Sequence, residues 1–387
     1  MRKTYKFKAT ANEITSQNAE QWLQRCQQLY NAALEQRIVA YKRCGVTLSA
    51  YSQSNELPEL KAEYPEFKQV GSQVLQDVVE RVGKAFKGFF SRLKKIGIKA
   101  GFPRFRSRAR YDSFTLKQAG WKLDGRHLKI KGVGTFKLFL SREIEGRIKT
   151  VTVRRDACGD WWVCFSCDEV PSRVYPEPQS EVVGIDVGLN AFCTDTEGVQ
   201  IANPKYYRQA QADLRRRQRK VARRKKGSQR RKKAVKELVR AHRRVKNLRL
   251  DFLHKTANHY IQKFKTICVE KLNIRNMVKN RHLSKSISDA GWGTFVELLL
   301  CKAAEPQALA RLRALRLRTA ALAGREVIQV DPKGTSQNCS GCGEVVKKSL
   351  AVRRHCCPHC GLELDRDENA ARNIAVRGAG LALQALT

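Results

Sequence analysis

Acidic residues are scarce in this chain. Its 387 residues hold 36 Asp and Glu against 76 Lys and Arg, a formal net charge of +40. Such an excess points to a polyanionic partner, of which nucleic acid is the usual one and an anionic membrane surface the other. The membrane reading lacks what it needs, because neither an amphipathic anchor nor a spanning apolar run accompanies the charge. The first ten residues, MRKTYKFKAT, contain no apolar signal region, so a secreted, disulfide-stapled protein is not expected. The thirteen cysteines then read as reduced thiols and metal ligands in a reducing cytoplasm. There is no internal repeat. What remains is a chain of ordinary hydrophobic content, long enough for two or three domains.

Periodicity divides the chain. Met1–Ala9 alternates like a short strand. A helix is expected over about Ser16–Arg43, with Trp22, Cys26, Leu29 and Ala33 on one face and Gly45 as its stop. Asn55–Pro65 reads as loop. A second helix is expected over about Gln69–Lys95, with Val74, Val78, Val82, Ala85, Phe89 and Leu93 aligned. From Gly101 to Asp168 the pattern turns to short β segments (SFTL, HLKIKGVGTFKLFL, KTVTVRRD, DWWVCFSCDE) separated by glycine turns, a small barrel or sandwich. Cys164 and Cys167 fall within one of these strands. Alternation sends them to opposite faces, which argues against half a metal site. Val170–Ser180 holds three of the ten prolines and reads as a domain boundary.

Beyond it, Glu181–Val187 is an apolar strand ending in GIDVGLN, with a return strand over Phe192–Thr196. Lys205–Arg249 contains 21 Lys and Arg but only two acids, Asp213 and Glu237, and no proline. Leu214, Val221, Ala234, Leu238, Val245 and Leu248 interrupt the charge, as in two helices broken near Gly227 and Ser228. An internal, helical, single-signed run is costly in self-repulsion unless it lies on nucleic acid. Thr266–Glu270 (TICVE) reads as a strand, Trp292–Ala304 and Pro306–Ala323 as helices, Glu326–Val330 as a strand, and the chain from about Glu368 as a final helix.

Two groups of residues carry chemistry. Cys339–Cys342 and Cys357–Cys360 are each a C-x-x-C followed by glycine, with 14 residues between the pairs. Four thiolates in that spacing make a closed, structural zinc site. Cys356 is the alternative to Cys357, and the C-P-x-C-G spacing favours Cys357. His355 and His359 read as bystanders. The second group is acidic. Asp186 shares a strand face with Gly184 and Gly188, which would keep that face open. Glu270 ends the apolar TICVE strand, and Asp367 opens the last helix. A carboxylate on an apolar strand is costly unless paired or bound to metal. Two such acids and one at a helix start suggest a shared Mg²⁺ site for phosphodiester hydrolysis. Asp195, Asp331 and Asp365 compete for these roles, and Asp367 alone would pass as a helix cap.

GIDVGLN, CVEKLNIRNM, DAGWGTF, DPKGTSQNCSGCG and CPHCGLELDRDENAARNI, in that order, resemble the TnpB (OrfB) proteins of bacterial insertion sequences, relatives of type V CRISPR effectors. Tyr30-Asn31 and the PRF at Pro103 extend the resemblance weakly toward the start. It implies an α+β multidomain fold. Residues 1–10 and 100–170 would form a small β-barrel wedge domain that holds guide RNA. Residues 11–99 would be an inserted helical recognition lobe, and 171–180 a linker. Residues 181–334 and 364–387 would form a RuvC-like, RNase H-type α/β nuclease domain, with basic helices over 205–250 and a zinc ribbon inserted at 335–363. The resemblance implies a transposon-encoded, RNA-guided DNA endonuclease that cuts double-stranded DNA beside a short motif. Its partners would be a guide RNA from the transposon end and target DNA, with no membrane, at the nucleoid. The catalytic, magnesium-binding acids would be Asp186, Glu270 and Asp367, and the zinc ligands Cys339, Cys342, Cys357 and Cys360. A nuclease-inactive, RNA-guided repressor and a guide-independent RNase H-type nuclease are the alternatives. One departure is the Ala-, Leu- and Arg-rich segment near Ala303–Ala323. It is longer than the family's usual short turn, and reads as an added surface helix or a new contact.

Overall fold

The computed structural model describes residues 1–94, 100–171, 175–303, 319–321, 325–349 and 352–384. The chain divides into two compact units, Arg2–Pro171 and the part from Ser172 onward.

The first unit combines one antiparallel sheet with a helical pack. Its strands are β1 (Lys3–Ala11), β2 (Ser113–Leu116), β3 (Trp121–Asp124), β4 (His127–Ile130), β5 (Gly134–Phe139), β6 (Arg147–Arg155) and β7 (Trp161–Asp168). They form a seven-stranded sheet in the order β2-β6-β7-β1-β5-β4-β3. The N-terminal strand is central, paired with β7 on one side and β5 on the other. Alternation buries Tyr5 and Phe7 of β1, Val163 and Phe165 of β7, and Phe136 and Leu138 of β5. The strands expected to make a barrel or sandwich make one sheet, in which, among the described residues, β2 and β3 each pair on one side only. Cys167 of β7 is buried and Cys164 is half-exposed, as alternation requires.

Helices α1 (Glu13–Cys44), α2 (Ala50–Asn55), α3 (Leu57–Glu63) and α4 (Ser72–Leu93) complete this unit. The Asn12 side chain accepts from Thr15 N at 2.8 Å to start α1, and Gly45 ends it at φ 65°. Trp22, Cys26, Leu29 and Ala33 of α1 and Val74, Val78 and Val82 of α4 are buried, and the two helices pack together. The expected loop at Asn55–Pro65 instead overlaps α2 and α3. Helices of six and seven residues are too short to show an apolar period, and what α2 buries is polar. Gln53 donates to Ala33 O at 2.9 Å and accepts from Arg37 Nε at 2.7 Å.

The second unit is a mixed sheet covered on both faces. Its strands are β8 (Ser180–Val187), β9 (Ala191–Asp195), β10 (Gln200–Ala202), β11 (Phe264–Glu270), β12 (Thr319–Ala321) and β13 (Glu326–Val330). The order is β10-β9-β8-β11-β13-β12. β8, β9 and β10 are antiparallel neighbours, and β11 runs parallel to both β8 and β13. Helices α5 (Tyr206–Ala222) and α6 (Gln229–Lys263) are the basic pair; α7 (Ile274–Met277), α8 (Ser284–Ala290) and α9 (Trp292–Ala303) follow β11. The expected helix over Pro306–Ala323 lies outside the described residues except for Thr319–Ala321, which are a strand beside β13. A two-stranded hairpin, β14 (Arg354–Cys356) and β15 (Glu363–Asp365), precedes α10 (Arg366–Gln384). Among the described residues, no helix is long and apolar enough to cross a membrane.

Being covered on both faces explains the apolar runs of the parallel strands. Val183, Ile185, Ile267, Val269 and Val327 pack with Tyr260 of α6 and Phe295 and Leu299 of α9. On the other face, Cys268, Ile328 and Val330 meet Ile374 of α10. The face of Gly184 was expected to be open, and it is filled. A Cβ at Gly184 would stand 1.9 Å from Ala371 O and 2.6 Å from Ala375 N, and one at Gly378 2.1 Å from Cys268 Sγ. The glycines therefore let the backbone of α10 rest on β8 and β11. Gly184→Ala must push α10 off the sheet, and we expect it to lose about 3 kcal/mol of stability, read as the shift in urea midpoint. An unshifted midpoint would show that α10 adapts without cost.

Candidate active site and metal centre

The cysteines form the tighter cluster. The Sγ atoms of Cys339, Cys342, Cys357 and Cys360 all lie within 4.8 Å of one another. Cys339 is 3.6 Å from Cys360, and Cys342 is 3.6 Å from Cys357. Tetrahedral zinc with Zn–S bonds of about 2.3 Å needs sulfurs roughly 3.8 Å apart, so the four thiols fit that ion. Both knuckles turn the same way. Gly343 N donates to Cys339 O and Gly361 N to Cys357 O at 2.9 and 3.0 Å, with φ of 82° and 73° at the two glycines. Backbone N–H groups, that of Cys360 foremost, draw the Cys357 thiol down to about 6, which favours the ligating thiolate. Cys356 is exposed and outside the cluster. His355 is buried beside Lys348 and His359 is exposed, and neither belongs to the cluster.

The acids meet at the carboxyl edge of the parallel strands. β8 and β11 are in register with Ile185 beside Val269. One step further, Asp186 stands beside Glu270, both on the α10 face. Asp367 is the second residue of α10, and its Oδ2 lies 4.0 Å from the Cβ position of Gly188. Burial, and then the charges of Glu270 and Asp367, push Asp186 well above the ordinary carboxylate range; Arg366 opposes this. Burial also raises Glu270, and the Thr335 hydroxyl, donating to it at 2.5 Å, works the other way. Asp367 is engaged by its neighbour: Arg366 Nη2 and Nε donate to Oδ1 at 2.8 and 3.1 Å. The three carboxylates are gathered more loosely than the cysteines, since they are not a set of oxygens all within 4.8 Å. Their chemistry still suits a hard divalent cation. They are oxygen donors, two of them made uncomfortable as anions by burial, on an edge where charge must be neutralised.

The competing acids are occupied elsewhere. Asp365 caps α10 by accepting from Asp367 N at 2.8 Å, so Asp367 is not the cap. Asp195 is buried and accepts from Glu197 N and Val199 N, each at 3.0 Å. Asp331 accepts from Lys333 N at 3.0 Å.

Sequence reasoning missed the polar residues that hold the site. Asn369 and Asn373 lie one turn apart on α10. The Asn369 side chain accepts from Ser340 N at 2.9 Å and donates to Asn338 O at 2.8 Å. Asn373 donates to Thr335 O and Asn338 O at 2.9 and 2.8 Å. The first knuckle is thereby clamped to the helix that carries Asp367, and the loop holding Thr335 is clamped with it. Two asparagines inside a helix, where they are poor formers, were the available signal. Asp289 of DAGWG is a second clamp. Buried, it accepts from Tyr207 N at 2.9 Å and Arg208 N at 3.3 Å at the start of α5, and from Arg249 Nη2 of α6 at 2.8 Å.

The basic helices break where expected, at Gly227 (φ 84°) and at Ser228, whose side chain accepts from Arg231 N at 3.2 Å. Leu214, Ala234 and Val245 are buried. Arg216, Arg219, Lys220, Arg223 and Arg224 line a recess of about 440 Å³, a concentration of cations whose chemistry suits phosphate oxygens.

Comparison with known proteins places this chain in a family. Residues 165–281 match the OrfB_IS605 model, described as "Probable transposase", and 310–374 match the Cas12f1-like TNB domain. "Putative RNA-guided DNA endonuclease" of Streptomyces pristinaespiralis is 32% identical over 374 residues, covering 92% of this chain and 84% of that protein. "Putative RNA-guided DNA endonuclease InsQ" of Escherichia coli (strain K12) is 28% identical over 311 residues, covering 79% and 74%. The solved structure of the mini-RNA-guided endonuclease CRISPR-Cas_phi3 aligns with a TM-score of 0.48 at 11% identity, covering 98% of this chain and 92% of its own. The match carried along nearly the whole Streptomyces protein decides the assignment: this chain belongs to the TnpB (OrfB) family of insertion-sequence proteins.

Proposed function

We propose that this chain is an RNA-guided DNA endonuclease encoded by an insertion sequence, cutting double-stranded DNA beside a short motif by metal-dependent hydrolysis. The observation that carries the reading is the meeting of Asp186, Glu270 and Asp367 at one sheet edge, in a chain whose long relatives bear that name. These three acids would hold Mg²⁺. The bound ions would activate the attacking water and stabilise the leaving oxygen. The chain's own residues set the stage. Thr335 fixes the Glu270 carboxylate, and Arg366 orients Asp367. Asn369 and Asn373 tie the helix bearing Asp367 to the knuckle. The mixed sheet with acids at its carboxyl edge supports a RuvC-like, RNase H-type nuclease over 181–334 and 364–387, with 335–363 as its zinc ribbon. On the same reading, 1–10 and 100–170 form the wedge that holds guide RNA, and 11–99 the recognition lobe. The recess of Arg216 to Arg224 would lie on phosphates of the guide–target duplex, whose sequence is read by base pairing.

The test is direct. The purified protein should carry RNA from the transposon end, and a duplex matching that RNA beside the right motif should be cut. Protein freed of RNA should lose cleavage completely. Sequence-specific cutting without any RNA would remove the guide from the reading.

A further inference from the structure

A ring cluster in the first unit has no part in the chemistry above. From Arg81 to Tyr111 the sequence has eleven Lys and Arg, no Asp or Glu, and five phenylalanines. Four of those rings gather in space. Phe102 meets Phe86 edge-on at 5.6 Å and Phe89 at 5.2 Å. Phe90 lies 5.3 Å from Phe89 and 6.3 Å from Phe86. The outer two rings remain open, with Phe90 52% and Phe102 48% exposed. Two arginines brace the surroundings of the cluster. Arg37 stacks on Phe86 at 5.6 Å, and Arg92 Nη2 of α4 donates to Gly101 O at 3.2 Å beside Phe102. Exposed Lys87, Arg92, Lys94 and Arg104 are neighbours of these phenylalanines along the chain.

Half-open aromatic rings on a basic, acid-free stretch of chain match one kind of occupant. Unpaired nucleotides bring a π-face for each ring and a phosphate for each cation, whereas an acidic peptide or an anionic lipid would answer the cations without offering a flat face to each ring. We propose that Phe90 and Phe102 form a stacking platform for unpaired bases of target DNA where its duplex opens. The choice of DNA over RNA rests on the guided-nuclease reading. A guide arrives already single-stranded, but a duplex must give up stacking of about 1.4 kcal/mol per step before it can pair with the guide. A platform that restacks a freed base offsets that cost.

The experiment compares the full chain, with its co-purified RNA, against F90A/F102A, F90L/F102L and F90W/F102W. The probe is a single-stranded DNA of about 12 nucleotides carrying 2-aminopurine. Both the alanine and leucine pairs should bind it about ten-fold more weakly, with the fluorescence quenching lost, and the tryptophan pair should restore both. Co-purified RNA should stay at the wild-type amount. Cleavage of a matched duplex should fall with the alanine pair and return when the target carries a pre-opened bubble. Unchanged DNA binding in the alanine pair overturns the platform. So does binding kept by leucine, which would mark plain apolar contact, and so does loss of the co-purified RNA, which would make the guide the occupant. If the wild-type protein fails to cut any matched duplex, the nuclease reading falls, while the quenching result still decides the platform.

Discussion

Asp186→Asn is expected to lower DNA cleavage by about 10³-fold or more while leaving RNA and DNA binding intact. The magnitude follows from losing a metal ligand where bound cations supply several kcal/mol of charge stabilisation. The same substitution carries a second, opposite signature. Burial and its acidic neighbours raise Asp186 well above the usual range. In magnesium-free protein the fold therefore holds its proton more tightly than the unfolded chain does, so stability is greatest at low pH. It is lost as pH rises from about 4 through the folded-state value. At neutral pH the ionised side chain works against the fold, and asparagine relieves it. The variant should melt no lower than wild type without magnesium. Magnesium should raise the melting temperature of wild type and leave the variant unmoved. Melting curves with and without magnesium, beside a cleavage assay, check this. Full cutting by the variant would take Asp186 out of the site, and magnesium stabilisation of the variant equal to that of wild type would do the same for its role as ligand.

Cys342→Ser should remove zinc and, with it, cleavage, by roughly 10²-fold or more, although the nearest of the three acids along the chain is Asp367 on the following helix. The knuckles have little core of their own, and bound zinc is what folds such a segment. Asn369 and Asn373 take their partners from Asn338, Ser340 and Thr335. When the knuckle loosens, α10 loses those clamps and Glu270 loses the positioned Thr335 hydroxyl. The apolar layers on either side of the sheet contain none of these residues, so the second unit should remain folded. Elemental analysis should find one zinc in wild type and in Cys356→Ser, and none in Cys342→Ser. Hydrogen exchange should quicken over both knuckles, 335–349 and 352–363, and at the start of α10 alone. A zinc-free protein that cuts at the wild-type rate would show that the knuckle does not support the acids.

The parts legible from sequence are those where local chemistry dictates local structure. Gly45 and the Gly227–Ser228 break end and start helices through their own backbone and side-chain preferences. The C-x-x-C-G pairs specify their turns through glycine and their cluster through sulfur. Apolar TICV announces a strand covered on both faces. Asp186 and Glu270 stand out because an acid on such a strand is costly. The short helices α2 and α3 were not legible, since six or seven residues carry no measurable period and α2 is anchored by Gln53. The strand order of the first sheet was not legible either, because strand alternation says which residues are inside but not which strands pair.

The residue types, the strongly basic charge and the approach of the zinc pairs to Asp367 were determined by the sequence alone, for they depend on neighbours along the chain. The rest was decided by the tertiary structure. It uses Gly184 for the backbone of α10 and not for a ligand, spends Asp365 on the helix cap, and turns Asn369 and Asn373 into the link between knuckle and helix. It also brings Asp186 beside Glu270 through a parallel pairing. A parallel pair is closed by a long crossover, here α5 and α6, and no local preference encodes which strands such a crossover will join.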